Sequence, residues 1–160
     1  MATRDEIVEA LHASDVRIDE LQARILDRPE QRLLEGEWRV RDALSHLAAR
    51  ANPVPRVLQR IERLDGGGPE APRIAIDEIN HGQVQERQGS SAADLLAEIK
   101  AGHASAVEGL PGIDDGTLAR ELPLGFQPGT TTVGDMLRMA GGGHENSHLD
   151  AIEAALEQPS

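Results

Sequence analysis

The chain has 160 residues, a formal net charge of −12, no cysteine, and only Trp38 and Phe126 from the Phe, Trp and Tyr group. That length predicts one domain, residues 1–160, with room for a proper core. The acidic balance speaks against nucleic acid and anionic membrane as partners, and the missing thiols exclude disulfides, thiolate metal sites and a cysteine nucleophile.

The first helix is expected over about Thr3 to Asp27. Thr3 and Glu6 form a capping box, and Ile7, Leu11, Ser14, Ile18, Leu21 and Ile25 recur on one face. His12 falls off that face and reads as a surface residue, and Pro29 ends the helix. A second helix is expected over Trp38–Ala51, burying Ala43, Leu44, Leu47, Ala48 and Ala51, with His46 at the edge of that face. Pro53 and Pro55 interrupt it, and Val54 to Leu64 resume it. Asp65 to Pro72 reads as a loop.

A third helical region starts near Arg73. There Ile76, Ile79, Asn80, Gln83 and Arg87 share one unusually polar face, read either as a solvated stretch near the end of the bundle or as the lining of a polar pocket, while His81 points away. Ser91 and Asp94 form another capping box, opening a helix that buries Ala92, Leu95, Leu96, Ile99, Ala106, Val107 and Leu110. His103 lies on that stripe. It is read first as a hydrogen-bonded core histidine and second as a rival metal ligand. Pro111 to Pro128 reads as a long connection with at most one helical turn, and Thr131 or Thr132 caps the last helix. No period-two strand is expected, and no run of about 18 apolar residues or leader pattern points to a membrane span or secretion. These elements make an all-α protein, a four-helix bundle in the cytoplasm.

The last helix carries the strongest chemical signal. His144 and His148 stand four residues apart, one above the other on a helix. On a wheel of about 100° per residue they fall inside the apolar sector with Val133, Met136, Leu137, Ala140, Gly141, Ala151, Ile152 and Ala155. Asp135, Arg138, Glu145, Asn146, Asp150, Glu153 and Glu157 fall outside it. Two inward imidazoles need partners, and a metal ion satisfies both. Gly141-Gly142-Gly143 costs helix stability, about 1 kcal/mol per glycine against alanine. That cost points to close approach of a neighbour or to a bulge.

The segment Trp38-Arg-Val-Arg-Asp-Ala-Leu-Ser-His-Leu-Ala resembles the opening of the second helix in the DinB-like superfamily. The branch it is most similar to is the metal-binding domain of mycothiol-dependent maleylpyruvate isomerases. Asp77–Arg87 resembles that branch's third-helix segment, and Thr132–Arg138 through His144 and His148 resembles its last helix. The resemblance spans essentially the whole chain. It implies a metal held by His46, His144 and His148, zinc first, with nickel, iron or manganese as alternatives. It also implies mycothiol as a thiol cofactor, and relatives are often homodimers.

Three protein ligands leave an open position, where water or an external thiol is activated. The leading expectation is a metal-dependent thiol transferase or isomerase acting on a small electrophile, with Asn80, Gln83 and Arg87 contacting substrate or cofactor. The alternatives are a metal-water hydrolase or tailoring enzyme acting on a reactive metabolite, and a non-enzymatic bundle that binds a small molecule or metal. A hydrolase needs a general base, for which Glu145, outside the apolar sector, is a weak candidate.

Overall fold

Thr3 starts the first helix as its spacing predicts. Its hydroxyl accepts from the Glu6 backbone N–H, the Glu6 carboxylate accepts from the Thr3 backbone, and α1 runs over Arg4–Asp27. The structure is a computed structural model that describes residues 1–68, 76–124 and 128–159. It is mainly helical, with α2 over Val40–Arg50, α3 over Val54–Asp65, α4 over Ile76–Glu86 and α5 over Ala92–Gly109. The short α6 covers Asp115–Ala119, and α7 (Val133–Arg138) continues through a π-turn at Met139–Gly143 into α8, His144–Leu156.

The second helix begins two residues later than expected. Trp38 and Arg39 are held in a small strap, in which Leu33 donates to the Trp38 carbonyl and Val40 donates to the Gln31 carbonyl. Asp42 closes the start of α2, accepting from both the Arg39 backbone N–H (2.9 Å) and the Arg39 guanidinium. Pro53 and Pro55 break the chain between α2 and α3 and leave the helical pattern free to resume at Val54. Arg73 to Ala75, expected to open the third helical region, lie outside the described residues, as do the side chain of Ile76 and Pro69 to Pro72 of the expected loop.

Helices α1, α2, α5 and α8 neighbour one another in a ring. One core cluster joins Ile18, Leu21 and Ile25 of α1 to Leu44 and Leu47 of α2, Leu95 and Ile99 of α5, and Leu149 and Ile152 of α8. A second joins Ile7 and Leu11 to Val57, Ile61, Val133 and Leu137. Each fully buried Leu or Ile contributes about 1.5–3 kcal/mol relative to exposure. Gly102 lets α5 cross the end of α2, since a Cβ there would stand 2.4 Å from the Ala51 Cβ. Arg28 closes the far end of α8, donating to the Leu156, Ala155 and Gln158 carbonyls that the helix leaves without partners.

The structure corrects two expectations. First, the expected Pro111–Pro128 connection holds α6 and the strand β1 (Glu121–Pro123), which pairs antiparallel with β2 (Thr130–Thr132) just beyond it. Gly125 to Gln127 of that connection lie outside the described residues. Three residues per strand are too few for an alternation to register. The second correction concerns phase. The stripe drawn for uninterrupted winding holds as far as Gly141, but beyond the π-turn the buried positions are Glu145, Leu149, Ile152, Ala155 and Leu156, while His144 and His148 are half-buried. A π-turn is wider than an α-turn and underwinds the chain. Residues after it lag by roughly the rotation of one position, so Glu145 and Leu149 take the inward places expected for His144 and His148. The glycines fulfil both roles expected of them. A Cβ on Gly141 would lie 2.6 Å from Leu11 Cδ2, and the Gly141 carbonyl accepts from the Ser14 hydroxyl at 2.9 Å.

Candidate metal centre

His46 is supplied by the middle of α2, and His144 and His148 by the first turns of α8. The neighbouring packing of α2 and α8 brings them together. One nitrogen from each imidazole lies within 4.8 Å of the other two, so the cluster could hold a metal ion. His46 Nε2 and His144 Nε2 are 3.2 Å apart. Two nitrogens each about 2.0–2.1 Å from a tetrahedral zinc would be roughly 3.3 Å apart, so this spacing suits a shared ion.

The hydrogen bonding around His46 selects its tautomer. Nδ1 lies 2.7 Å from Gln83 Oε1, an oxygen that can only accept, so Nδ1 carries the proton and Nε2 presents its lone pair to the cluster. Gln83 comes from α4, which packs against α2, so this polar residue orients a candidate ligand. Trp38 covers the cluster from the strap, its ring centroid 5.3 Å from that of His46 and 6.0 Å from that of His148. His46 itself is buried at 2 % exposure rather than poised at the edge of α2, because α4 and the strap close over it.

The site keeps its imidazoles neutral. Burial holds His46 down at about 4, against which the Gln83 hydrogen bond works, with the charge of His148 and the cations Arg50 and Arg56 adding to the depression. Burial, then His148 and Arg50, hold His144 at about 3. His148 is lowered by burial and by Arg50. Neutral imidazole is the form that binds metal, so protons compete little for this site near neutral pH.

The other expected residues fall elsewhere. Arg87, one position beyond the end of α4, is committed to Glu98 on α5, with Nη2 2.7 Å from its carboxylate. Asn80 is half-buried on α4 and makes no side-chain hydrogen bond among the described residues, and Ile79 is 43 % exposed. His12 and His81 are exposed, as expected. His103 is the core histidine of its first reading. Its Nδ1 lies 2.7 Å from Asp15 Oδ1 and its Nε2 3.0 Å from Glu145 Oε2. Burial opposes its protonation, but the Glu145 and Asp15 carboxylates outweigh burial and raise its pKa. Glu145, expected on the outer face, is therefore turned inward and away from the imidazole cluster.

Sequence reasoning passed over Trp38 as a site residue, and with it Arg50 and Arg56. Arg50 was within reach of such reasoning, because it stands four residues after His46 and shares its face of α2. Among the described residues no helix is long and apolar enough to cross a membrane. Comparison with known protein families, with curated proteins and with solved structures finds no match for this chain.

Proposed function

We propose that this chain is a DinB-like four-helix bundle whose His46, His144 and His148 hold a divalent metal, zinc first, with nickel, iron or manganese as alternatives, and that it catalyses thiol transfer or isomerisation of a small electrophile. The observation that carries the reading is the donor set itself, three neutral imidazoles on two helices with one of them oriented by Gln83. The metal's contribution is Lewis acidity that lowers the pKa of a bound thiol. The protein has no thiol of its own, so a low-molecular-weight thiol of the mycothiol kind is the nucleophile in this reading. His46, His144 and His148 supply the donors, Gln83 holds the His46 tautomer, and Trp38 shields the cluster from bulk water.

The placement of Glu145 favours a thiol over water. A hydrolase needs a base beside the activated water, and Glu145 is occupied with His103 instead. The metal-water hydrolase is thereby the weaker reading, and a non-enzymatic metal or ligand binder is the reading that remains if no chemistry is found. The substrate is a small molecule, in a protein of the cytoplasm.

The test is elemental analysis of untagged protein and of His148→Ala, followed by assay of the metal-loaded protein with mycothiol and an electrophile whose thiol adduct absorbs in the visible. Near-stoichiometric metal that is lost in the variant, and turnover that requires both metal and thiol, are expected. A native protein that neither carries metal nor takes it up would refute both enzymatic readings.

A further inference from the structure

The cations around the cluster set it apart from the rest of the molecule. Elsewhere several partly buried arginines are matched with acids, Arg17 with Asp150 and Glu153, Arg39 with Asp42 and Glu30, Arg87 with Glu98, and Arg28 is matched with three carbonyls at the end of α8. Arg50 is half-buried and makes no side-chain hydrogen bond or ion pair with a described residue. Arg56 is half-buried beside it, and its guanidinium donates only to the Arg50 carbonyl, at 3.1 Å, among the described residues. The chain has 28 acidic residues, and none of the described ones pairs with either cation. Burial lowers the pKa of both, and each raises the cost of charge on the other or on the imidazoles. An unmatched, partly desolvated cation is destabilising unless something else neutralises it.

Arg50 lines a cavity of about 480 Å³ that it shares with His144. Leu124, Met136 and Met139 make the cavity's apolar wall. Arg60 also borders it, but is drawn to the Pro123 carbonyl and the Met136 sulfur. The one carboxylate on the lining among the described residues, Asp135, is already used. Its Oδ1 accepts from the Ala2 N–H at 2.8 Å, and its Oδ2 accepts from the Thr132 hydroxyl at 2.6 Å with the N-terminal amine nearby. The cavity therefore brings together Arg50, whose guanidinium has no partner among the described residues, an apolar wall and one histidine of the imidazole cluster. A guanidinium fork matches the two oxygens of a carboxylate.

We propose that Arg50, reinforced by Arg56, is the anchor for the carboxylate of a small organic acid whose apolar body lies against Met136 and Met139, beside His144. This deepens the proposed function by naming its substrate class, and rests on that reading only for the chemistry, since the anchor needs no metal. The electrophile in that reading is then an anionic one, its carboxylate held away from the reacting carbon.

The test uses the full chain stripped of metal by chelator, titrated calorimetrically with hexanoate and with its neutral amide, hexanamide. Hexanoate is expected to bind at least about tenfold more tightly than the amide, and Arg50→Gln to abolish that preference. Arg50→Lys keeps the charge without the fork and should retain part of it. Because the Arg50 side chain has no partner to lose among the described residues, Arg50→Gln is expected to melt no lower than the parent, which separates loss of binding from loss of fold. Equal binding of acid and amide, or an Arg50→Gln variant that still prefers the acid, would overturn the proposal. So would binding of hexanoate only after zinc is loaded, because the carboxylate would then be held by the ion. Failure of zinc uptake with acid preference intact overturns the metal reading and leaves the anchor standing. Thiol transfer with no acid preference does the reverse.

Discussion

Substituting Gly141 by alanine tests the link between the π-turn and the cluster. The added Cβ would stand 2.6 Å from Leu11 Cδ2 and 3.1 Å from Leu11 Cγ, and Leu11 is fully buried in the second core cluster. Carbon atoms settle about 3.5–4.0 Å apart, so α1 and the turn must separate by roughly 1 Å. Overpacking of this kind costs about 1–3 kcal/mol, against a gain of about 1 kcal/mol for removing a glycine from a helix. The net expectation is a loss on the order of 1 kcal/mol, or roughly 2–4 °C in Tm for a chain of this size. Gly143→Ala is the control. Its Cβ meets only the Met139 sulfur, at 3.1 Å, and Met139 is 65 % exposed and free to move. It should be neutral or stabilising by up to about 1 kcal/mol. Urea unfolding of the metal-free variants measures both. Nickel titration followed by fluorescence of Trp38, the one tryptophan and a neighbour of the cluster, then asks whether displacing the turn disturbs His144. If Gly141→Ala stabilises as much as Gly143→Ala, the close contact with Leu11 does not govern the turn.

Two further outcomes concern the site. Gln83→Ala removes the acceptor that holds the His46 tautomer, and nickel affinity should fall about 10–100-fold, as for other partners that orient a metal ligand. Because Gln83 is only half-buried, its Tm should barely move, and unchanged affinity in the same fluorescence titration would remove Gln83 from the site. The histidines give opposite pH dependences. His103 has a raised pKa, so the stability it contributes is fully present below the ordinary histidine value of about 6.5 and is lost as pH rises through the raised value. His103→Gln should therefore lose most, relative to the parent, in mild acid and least in alkali. For His46 and His144, held down at about 4 and about 3, the unfolded chain takes up protons first, so the metal-free fold loses stability as pH falls below about 6.5. Urea midpoints across pH for the parent and His103→Gln check both signs, and a His103→Gln penalty independent of pH would refute the first.

Much of this molecule is local and was therefore legible from residue order. The capping boxes at Thr3 and Ser91, the cap at Thr132, the α1 stripe and the break at Pro53 and Pro55 each depend on neighbours within a turn or two, and each stands where spacing puts it. The pairing of His144 with His148 is of the same kind. That His46 joins them came only as an implication of family resemblance, and the folded chain places it there. What order alone could not decide was phase and partnership. Helical periodicity assumes constant winding, and the π-turn at Met139–Gly143 breaks that assumption, so Glu145 went inward and the imidazoles moved to the flank. At that turn Leu11 and Ser14, far off in the sequence on α1, approach Gly141 too closely for a Cβ and donate a hydroxyl to its carbonyl. Likewise, Arg87 chose Glu98 and Arg50 was left without an acid among the described residues, because a charged side chain's partner is whatever the packing of other helices brings within reach.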